Sequence, residues 1–468
     1  MTRANGSFDL AVIGAGSAGF SAAITAAEQG AQVILIEHGI IGGTCVNIGC
    51  VPSKTMIRAA ETLHQASAAC RFRGIKAEAN VTDWSAVMAE KFNLVAELRQ
   101  AKYIDVLPSY DSVAYRKGQA QLVDDGVLID GDVVEADKII IATGSSPEIP
   151  PIEGINNVPY LTSTTALELD HLPASMIVIG GSVIGCELGQ MFARMGTKVT
   201  ILCRSRLLSS GEPEISKALE DAFKTEGINV VCGVAYKSIT HKGDVCLGYE
   251  HVGKHHDLIA EQVLLATGRR PNSGGLGLSE MSVELLPNGG IKINDRMQTT
   301  RKGIYAVGDV TGRDMFVYMA AYGAKLAAEN ALNGDARQYD NTAMPEVVFT
   351  DPQAASVGLT EAQAKAKRID ARTSIVGLEH VPRALAARDT RGLIKLVANA
   401  DGNQILGAHI LAPEGGDSIQ TAVVAIKAGM TTDQLGEMIF PYLTTVERLK
   451  LAAQTFDKDI SKLSCCAG

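Results

Sequence analysis

The fold is indicated first by an apolar run that ends in a glycine-rich turn, Phe8-Asp9-Leu10-Ala11-Val12-Ile13-Gly14-Ala15-Gly16-Ser17-Ala18-Gly19. A helix-like, alanine-rich segment follows to about Gln29, and a second apolar run ends in Glu37. Glycines at this spacing allow a tight turn and a close approach of a pyrophosphate to the helix N-terminus. The acid after the second strand suits a ribose hydroxyl pair. The stretch therefore predicts a dinucleotide-binding fold.

The same pattern starts again at Met176, where an apolar strand runs into Gly180-Gly181-Ser182-Val183-Ile184-Gly185. Ser182 replaces the middle glycine, and its hydroxyl is small enough to contact a phosphate itself. No acid follows the second strand of this unit, which is followed instead by Arg204 and Arg206. Arginines accommodate a 2′-phosphate. We therefore expect NADPH rather than NADH here, with two solvated arginines as the alternative.

The two units form an internal repeat, because each ends in a strand that closes with Ala-Thr-Gly, at residues 142–144 and 266–268. A later strand ends in Gly308-Asp309 and resembles an edge of the first unit. The first domain is therefore expected to be interrupted by the second. We predict an α/β protein with two stacked Rossmann-like dinucleotide-binding domains and a C-terminal α+β dimerisation domain. The predicted boundaries are 1–150 and 271–343 for the first domain, 151–270 for the second and 344–468 for the third.

The composition restricts the partners and the compartment. The 468 residues are 46% hydrophobic and 20% charged, and the formal net charge is −9. This charge argues against nucleic acid or an anionic membrane as the main partner. The nine cysteines are dispersed except for two pairs, unlike an extracellular disulfide framework. No run approaches the length of a membrane span. We expect a soluble, cytoplasmic protein with no membrane span.

The first cysteine pair lies in Gly42-Gly43-Thr44-Cys45-Val46-Asn47-Ile48-Gly49-Cys50-Val51-Pro52-Ser53-Lys54. Five residues of regular α-helix rise about 7.5 Å, more than the roughly 4.4–6.8 Å between the Cα atoms of a disulfide. If Cys45 and Cys50 pair, the backbone between them must be distorted, which Gly49 permits. Lys54 falls on the same helical face as Cys50 and favours a thiolate. The stretch is typical of a reversible dithiol; two small core residues are the alternative.

The second pair, Cys465-Cys466, stands near the end of the sequence. Chain ends are mobile unless they are tied down, so this dithiol could swing into another site. An incidental tail is the alternative.

The motif at 42–54 resembles that of the FAD-dependent pyridine nucleotide–disulfide oxidoreductases, the family of glutathione reductase and lipoamide dehydrogenase. The resemblance covers nearly all of the chain. Those enzymes carry a His-Pro…Glu signature that supplies an acid/base histidine. The corresponding stretch here is Phe440-Pro441-Tyr442-Leu443-Thr444-Thr445-Val446-Glu447, and no histidine lies beyond His409. Together with Cys465-Cys466, this resembles the mercuric ion reductases of the family. Many of them carry an additional N-terminal metal-binding domain, so we expect either a short form or a catalytic core.

The resemblance implies that NADPH reduces FAD and that the reduced flavin delivers two electrons to Hg(II), the substrate. Cys50 would be the thiolate next to the flavin and Cys45 the outer thiol. Cys465 and Cys466 of the partner subunit would take Hg(II) from small thiols and pass it to this pair. The four cysteines would thus be the metal ligands, and the working unit would be a homodimer with a shared active site.

The resemblance also assigns roles to further residues. Lys54 and Glu187 would form an ion pair near the flavin. Tyr442 and Tyr103 would line the metal site, with Tyr110 and Tyr115 as alternatives to Tyr103. The expected FAD residues are Gly14, Ala15, Gly16, Ser17, Ala18, Gly19, Glu37, Gly43, Thr44, Lys54, Ala142, Thr143, Gly144, Asp309 and Val317. The expected NADPH residues are Gly180, Gly181, Ser182, Val183, Ile184, Glu187, Arg204, Arg206 and Gly268.

Two other functions remain open from the sequence. The first is an NADPH-dependent disulfide reductase whose C-terminal dithiol relays electrons, as in the thioredoxin reductases of higher eukaryotes. The second is a thiol protein that sequesters soft metals without turnover. The two dinucleotide motifs argue against the second function, because storage needs no NADPH.

Overall fold

The two glycine turns lie in separate parallel sheets. The computed structural model describes residues 7–460. The first part of the chain contains β1 Phe8–Ile13, α1 Ser17–Ala27, β2 Val33–Glu37, α2 Gly43–Ile48, α3 Cys50–Ser67, α4 Trp84–Arg99, β3 Val113–Lys117, β4 Ala120–Val123, β5 Gly126–Ile129, β6 Asp132–Ile141 and β7 Ser145–Pro147. The next part contains β8 Ser175–Ile179, α5 Val183–Met195, β9 Lys198–Cys203, α6 Pro213–Thr225, β10 Asn229–Cys232, β11 Ala235–Lys242, β12 Asp244–His251, β13 Lys254–Ala260, β14 Gln262–Leu265 and β15 Arg269–Pro271.

The rest of the chain returns to the first sheet and then builds a third. Its elements are β16 Ile304–Ala306, α7 Val317–Asn333, β17 Pro345–Val348, β18 Gln353–Gly358, α8 Glu361–Ala366, β19 Ala371–Gly377, α9 Pro382–Ala387, β20 Leu393–Asn399, β21 Ile405–Ala412, α10 Gly415–Lys427, α11 Thr432–Glu437 and α12 Arg448–Gln454. Shorter helical segments are a π-helix at Gln100–Ile104 and 3₁₀ turns at Ala68–Arg71, Leu107–Ser109, Ile155–Asn157, Thr165–Glu168, Gly308–Thr311 and Leu378–His380.

The first sheet has the order β3-β2-β1-β6-β5-β4, and β16 pairs with β6. Strands β1, β2, β3, β6 and β16 are parallel, so their carboxyl ends meet at one edge. Strands β4, β5 and β6 pair antiparallel and form two successive hairpins. A strand from beyond the second unit thus completes the first sheet.

The second unit has a parallel sheet of order β10-β9-β8-β14 and an antiparallel sheet of β11, β12 and β13. Strands β8, β9 and β14 are apolar and almost fully buried, as parallel central strands usually are. Strand β7 ends at Pro147, and two further prolines, Pro150 and Pro151, follow it. This strand pairs antiparallel with β15 and joins the two units.

The third sheet is antiparallel, with the order β17-β18-β21-β20-β19. Helices α10 and α12 bury their apolar side chains against it. The predicted α/β class with a C-terminal α+β domain is confirmed, whereas the numerical domain boundaries stay predictions. Helices α3 and α4 are separated by a 3₁₀ turn and by residues 72–83, which are not helical. No helix within residues 7–460 is long and apolar enough to cross a membrane.

Candidate active site

The first glycine turn brings backbone elements too close together for side chains. Gly14 has φ +107°, and a Cβ there would lie 2.4 Å from the Ala142 carbonyl oxygen. A Cβ on Gly19 would lie 1.7 Å from the Gly14 carbonyl oxygen. Gly16 precedes α1, and none of the described side chains caps the amides of its first turn. These amides are therefore available to an anionic group.

Helix α2 packs directly on this turn. A Cβ on Gly43, which has φ +59°, would lie 2.6 Å from the Gly16 Cα atom. The Ser17 hydroxyl lies 3.3 Å from the Tyr103 hydroxyl. Thr44 is exposed in the first turn of α2. The segment that carries Cys45 is thus fixed against the glycine turn by close backbone contact.

Glu37 is buried at the end of β2 and supports the turn from within the protein. Its Oε2 atom accepts a hydrogen bond from the Ala15 amide at 2.7 Å, and Oε1 accepts one from the Gly39 amide at 2.7 Å. Each carboxylate oxygen can accept a further hydrogen bond. Glu37 therefore has a structural role, and its contact with a ribose stays a prediction.

The second turn repeats the geometry of the first. Gly180 has φ +114°, and a Cβ there would lie 2.3 Å from the Ala266 carbonyl oxygen. A Cβ on Gly185 would lie 2.0 Å from the Gly180 carbonyl oxygen. The Ser182 hydroxyl donates to Ala266 O at 2.8 Å. In this arrangement that bond uses the only proton of the hydroxyl, and the contact with a phosphate stays a prediction.

The two arginines after β9 have different environments. Arg204 is exposed and follows Cys203, whose side chain lies against Gly181 of the glycine turn. The Arg206 Nη2 atom donates to Ser209 O at 2.8 Å and to Gly211 O at 2.6 Å. Within residues 7–460 the buried Nε atom of Arg206 has no partner. One exposed guanidinium and one open N–H group fit a 2′-phosphate at this turn.

The first Ala-Thr-Gly segment is hydrogen-bonded to Asn272, which follows the second segment by four residues. The Thr143 hydroxyl donates to Asn272 O at 2.8 Å, and the Asn272 side-chain amide donates to Thr143 O at 3.0 Å. The Asn272 backbone amide donates to Gly144 O at 2.9 Å. Gly268 closes the second segment with φ +128°. The repeated motif therefore forms the joint between the two units.

The predicted dithiol spans a break between two helices. Helix α2 ends at Ile48, Gly49 has φ −125° and ψ −112°, and α3 begins at Cys50. Cys45 and Cys50 are both half-buried thiols. The backbone distortion that a pair at this spacing requires is therefore present.

The two thiols are electrostatically unequal. The hydrogen bond from the Cys45 thiol lowers the pKa of Cys50 to about 7, with further help from Lys54 and against the effect of burial. The same hydrogen bond, together with burial, raises the pKa of Cys45 far above its usual range. Cys50 therefore loses its proton first, near neutral pH, while Cys45 keeps its own. The roles of the two cysteines beside the flavin stay predictions.

A buried ion pair supports this arrangement. The Lys54 Nζ atom lies 2.7 Å from Oε2 of Glu187, whose side chain is 4% exposed. The Glu187 Oε1 atom accepts from the Phe349 amide at 2.8 Å, and the Lys54 ammonium lies 4.8 Å from the centre of the Phe349 ring. The pair inferred from the resemblance is therefore present. It joins α3 and α5 to the segment between β17 and β18, a contact that sequence reasoning missed.

A second polar group that sequence reasoning missed surrounds Asp309. The Ser145 hydroxyl donates to Asp309 Oδ2 at 2.6 Å, and the Arg269 Nε atom donates to the Ser145 hydroxyl at 2.7 Å. Burial lowers the pKa of Arg269, while the charges of Asp309 and Cys50 oppose that shift. Arg269 thus acts electrostatically on the dithiol. Ser145 and Arg269 each directly follow an Ala-Thr-Gly segment. This shared position in the repeat is the sequence feature that could have pointed to both residues.

Helix α7 begins at Val317, and none of the described side chains caps its first turn. Its N-terminus follows the 3₁₀ turn of Asp309 by a few residues. The open amides therefore lie in the same part of the chain as Asp309.

Tyr103 is the tyrosine that the structure places by the cysteines. Burial raises its pKa, and negative charge on Cys45 and Cys50 adds to that effect. Tyr110 instead reaches Glu28, at 3.4 Å between the side-chain oxygens. Tyr115 is exposed on β3.

Tyr442 lies on the C-terminal domain, in a stretch whose exposed apolar side chains include Met438, Ile439 and Leu443. Glu447 is buried and accepts a hydrogen bond from the Leu443 amide at 3.0 Å. Cys465 and Cys466 lie outside the described residues. In the part of the chain that the structure describes, no cluster of three or more His, Cys, Asp or Glu side chains could hold a metal ion. Cys45 and Cys50 would therefore be a two-ligand site.

Two models of one protein family match most of the chain. The pyridine nucleotide-disulphide oxidoreductase model matches residues 8–325, and the dimerisation domain model of the same family matches residues 344–453. The chain belongs to the pyridine nucleotide-disulphide oxidoreductase family.

Similar proteins within the family include mercuric reductases. The chain is 46% identical to a mercuric reductase of Lysinibacillus sphaericus over 464 residues, which is 98% of this chain and 85% of that protein. It is 46% identical to a mercuric reductase of Streptomyces lividans over 476 residues, which is the full length of both. A solved structure of the HOCl-induced flavoprotein disulfide reductase RclA from Escherichia coli, a Cu(II) complex of a mutant, has a TM-score of 0.85 and 28% identity. That match covers 96% of this chain and 99% of the other.

Proposed function

We propose that this chain is an NADPH-dependent flavoenzyme that reduces Hg(II) to Hg(0). The observation that carries the proposal is the unequal dithiol, a Cys50 thiolate beside a Cys45 thiol, next to the first of two dinucleotide turns. The full-length similarity to mercuric reductases supports the same activity.

The geometry fits both cofactors. The uncapped first turn of α1 and the close contact of Gly43 with Gly16 leave a backbone cradle for the FAD pyrophosphate. The corresponding cradle at α5 would hold the NADPH pyrophosphate, and Arg204 would bind the 2′-phosphate. When bound, the two cofactors supply the two electrons of the reaction. NADPH and Hg(II) then give NADP⁺, a proton and Hg(0).

The two cysteines would bind the substrate by ligand exchange. Hg(II) is soft and prefers thiolate ligands. The Cys50 thiolate displaces one thiolate from a mercury complex of two small thiols. Cys45 displaces the second thiolate and gives its proton to that leaving group. When Hg(II) takes up two electrons, both protein sulfurs are released as thiolates, and the proton left from NADPH returns to Cys45.

This exchange needs no acid/base histidine, because one sulfur ligand replaces another. The sequence has none beyond His409, and tyrosine stands after Pro441. A disulfide reductase instead needs a proton donor for its leaving thiolate. The chain therefore fits metal reduction better than disulfide reduction.

The proposal also includes delivery of Hg(II) by the partner subunit. The chain contains a dimerisation domain, and the exposed apolar side chains around Tyr442 support a contact between subunits. Cys465 and Cys466 of the partner subunit would pass Hg(II) to Cys45 and Cys50. Tyr103 and Tyr442 would line the site from the two subunits.

The test is NADPH oxidation by the holoenzyme with Hg(II) in excess small thiol, with volatile mercury trapped. We expect one Hg(0) for each NADPH consumed. Cys50→Ser should abolish the reaction, and Cys70→Ser, at an exposed thiol, should leave it unchanged. Equal NADPH consumption with an organic disulfide in place of Hg(II) would overturn the proposal in favour of a disulfide reductase. Tight Hg(II) binding without NADPH consumption would indicate a sequestering protein.

A further inference from the structure

Two thiols lie side by side beneath the second glycine turn. Cys203 is the last residue of β9 and Cys232 the last residue of β10, and the two are direct partners in the parallel pairing of these strands. Their sulfur atoms are 3.2 Å apart. Neighbouring strands lie about 4.7–4.9 Å apart, within the roughly 4.4–6.8 Å range of Cα separations in disulfides. A small movement of the two side chains would therefore bring the sulfurs to bonding distance.

The two thiols differ in access. Cys203 is 3% exposed, and burial together with the neighbouring Cys232 sulfur raises its pKa. Cys232 is only half-buried. An oxidant from solvent therefore meets Cys232 first, and the buried Cys203 is placed to react with the oxidised sulfur.

The Cys203 sulfur also supports the nucleotide turn. A Cβ on Gly181 would lie 3.0 Å from the Cys203 Cβ atom and 3.3 Å from its sulfur. The Gly181 carbonyl accepts from the Leu208 amide at 2.8 Å, and the Cys203 carbonyl accepts from the Val234 amide at 3.2 Å. Arg204 is the next residue. We therefore expect a displacement of this sulfur to change the packing against Gly181 and the position of the loop that carries Arg204.

We propose that Cys203 and Cys232 form a second redox dithiol, which a peroxide closes to a disulfide, and that this closure weakens NADP(H) binding at the adjacent turn. The Cys232 thiolate attacks one peroxide oxygen, the O–O bond breaks, and a sulfenic acid and hydroxide form. Cys203 then attacks that sulfur, the S–O bond breaks and the disulfide forms. Two thiols and one hydrogen peroxide give one disulfide and two waters. The site is separate from Cys45 and Cys50 and is not needed for the proposed reduction of Hg(II).

Peptide mapping tests the covalent step. Trypsin releases Cys203 in the peptide 199–204 and Cys232 in the peptide 225–237, each with a single cysteine. The holoenzyme is treated with hydrogen peroxide, alkylated and digested without reductant. We expect the linked pair of peptides in the wild type and in Cys70→Ser, but not in Cys232→Ser. If the two peptides stay unlinked in the treated wild type, the proposal is wrong.

Calorimetric titration with NADP⁺ tests the effect on binding. Both samples start with the oxidised Cys45–Cys50 pair, so this pair does not differ between them, and Cys232→Ser controls for oxidation at the other cysteines. Peroxide should raise the Kd for NADP⁺ several-fold in the wild type, and a phosphine reductant should restore it. Cys232→Ser should keep its Kd after peroxide. An unchanged Kd in a wild-type sample that contains the linked peptides would refute the coupling to the nucleotide turn.

Discussion

The charge of Lys54 should set the reactivity of Cys50. Lys54 follows Cys50 by four residues on α3, and its ammonium lowers the pKa of that thiol. Its partner Glu187, 2.7 Å away, has the opposite effect on Cys50. Replacing Lys54 by methionine removes the charge but keeps most of the side-chain volume. The pKa of Cys50 should therefore rise.

The size of this effect follows from Coulomb's law. Two unit charges about 6 Å apart at an effective dielectric constant of about 20 interact by about 2.8 kcal/mol, or about two pH units. We expect the paired Glu187 carboxylate to cancel roughly half of this, since it lies beside the ammonium. Lys54→Met should then raise the pKa of Cys50 by about one pH unit from its value of about 7. Glu187→Gln should lower it.

The assay is the pH dependence of iodoacetamide alkylation of Cys50 in the reduced holoenzyme, followed by mass spectrometry. Only the thiolate reacts, so the rate should rise with pH through the pKa. The midpoint should move upward in Lys54→Met and downward in Glu187→Gln. Arg58→Met removes the same charge from an exposed position on α3 and should leave the midpoint unchanged. The same midpoint in Lys54→Met and the wild type would refute the reasoning.

Three further predictions concern the cofactors and the delivery of substrate. Gly43→Ala places a Cβ 2.6 Å from the Gly16 Cα atom, so the purified protein should contain less flavin per chain. Full flavin content in this variant would contradict FAD binding at this turn. Arg204→Ala should raise KM for NADPH about 10- to 100-fold, as expected for a lost charged hydrogen bond, with little change in KM for NADH. An equal change in KM for the two nucleotides would exclude a contact with the 2′-phosphate. Cys465→Ala with Cys466→Ala should slow turnover of thiol-bound Hg(II) but keep flavin reduction by NADPH, and loss of flavin reduction would contradict a delivery role.

The glycine turns and the dithiol could be predicted from the sequence because their chemistry is local. Gly14 and Gly180 need left-handed backbone, and a short run of residues defines each turn. The break at Gly49 follows from the spacing of two cysteines along one helix. In each case, residues close together in the chain determine the geometry.

The supporting polar contacts could not be predicted because they join distant parts of the chain. The Phe349 amide reaches Glu187 across 162 positions, and Arg269 reaches Ser145 across 124. The Ser182 hydroxyl donates to the carbonyl of Ala266, a residue 84 positions away that only folding brings near. Such contacts depend on how the domains pack, and local patterns carry no information about that packing.

The central claim is that Cys45 and Cys50 hold Hg(II) beside the flavin. It is tested most directly by the long-wavelength absorbance expected from a Cys50 thiolate next to oxidised flavin after two-electron reduction. The measurement uses Cys465→Ser with Cys466→Ser, so that the C-terminal thiols do not compete for the ion. We expect this band to appear on reduction and to disappear as Hg(II) is added, one ion per active site. A band that persists when one Hg(II) per active site is bound would show that the ion is held elsewhere and would contradict the account.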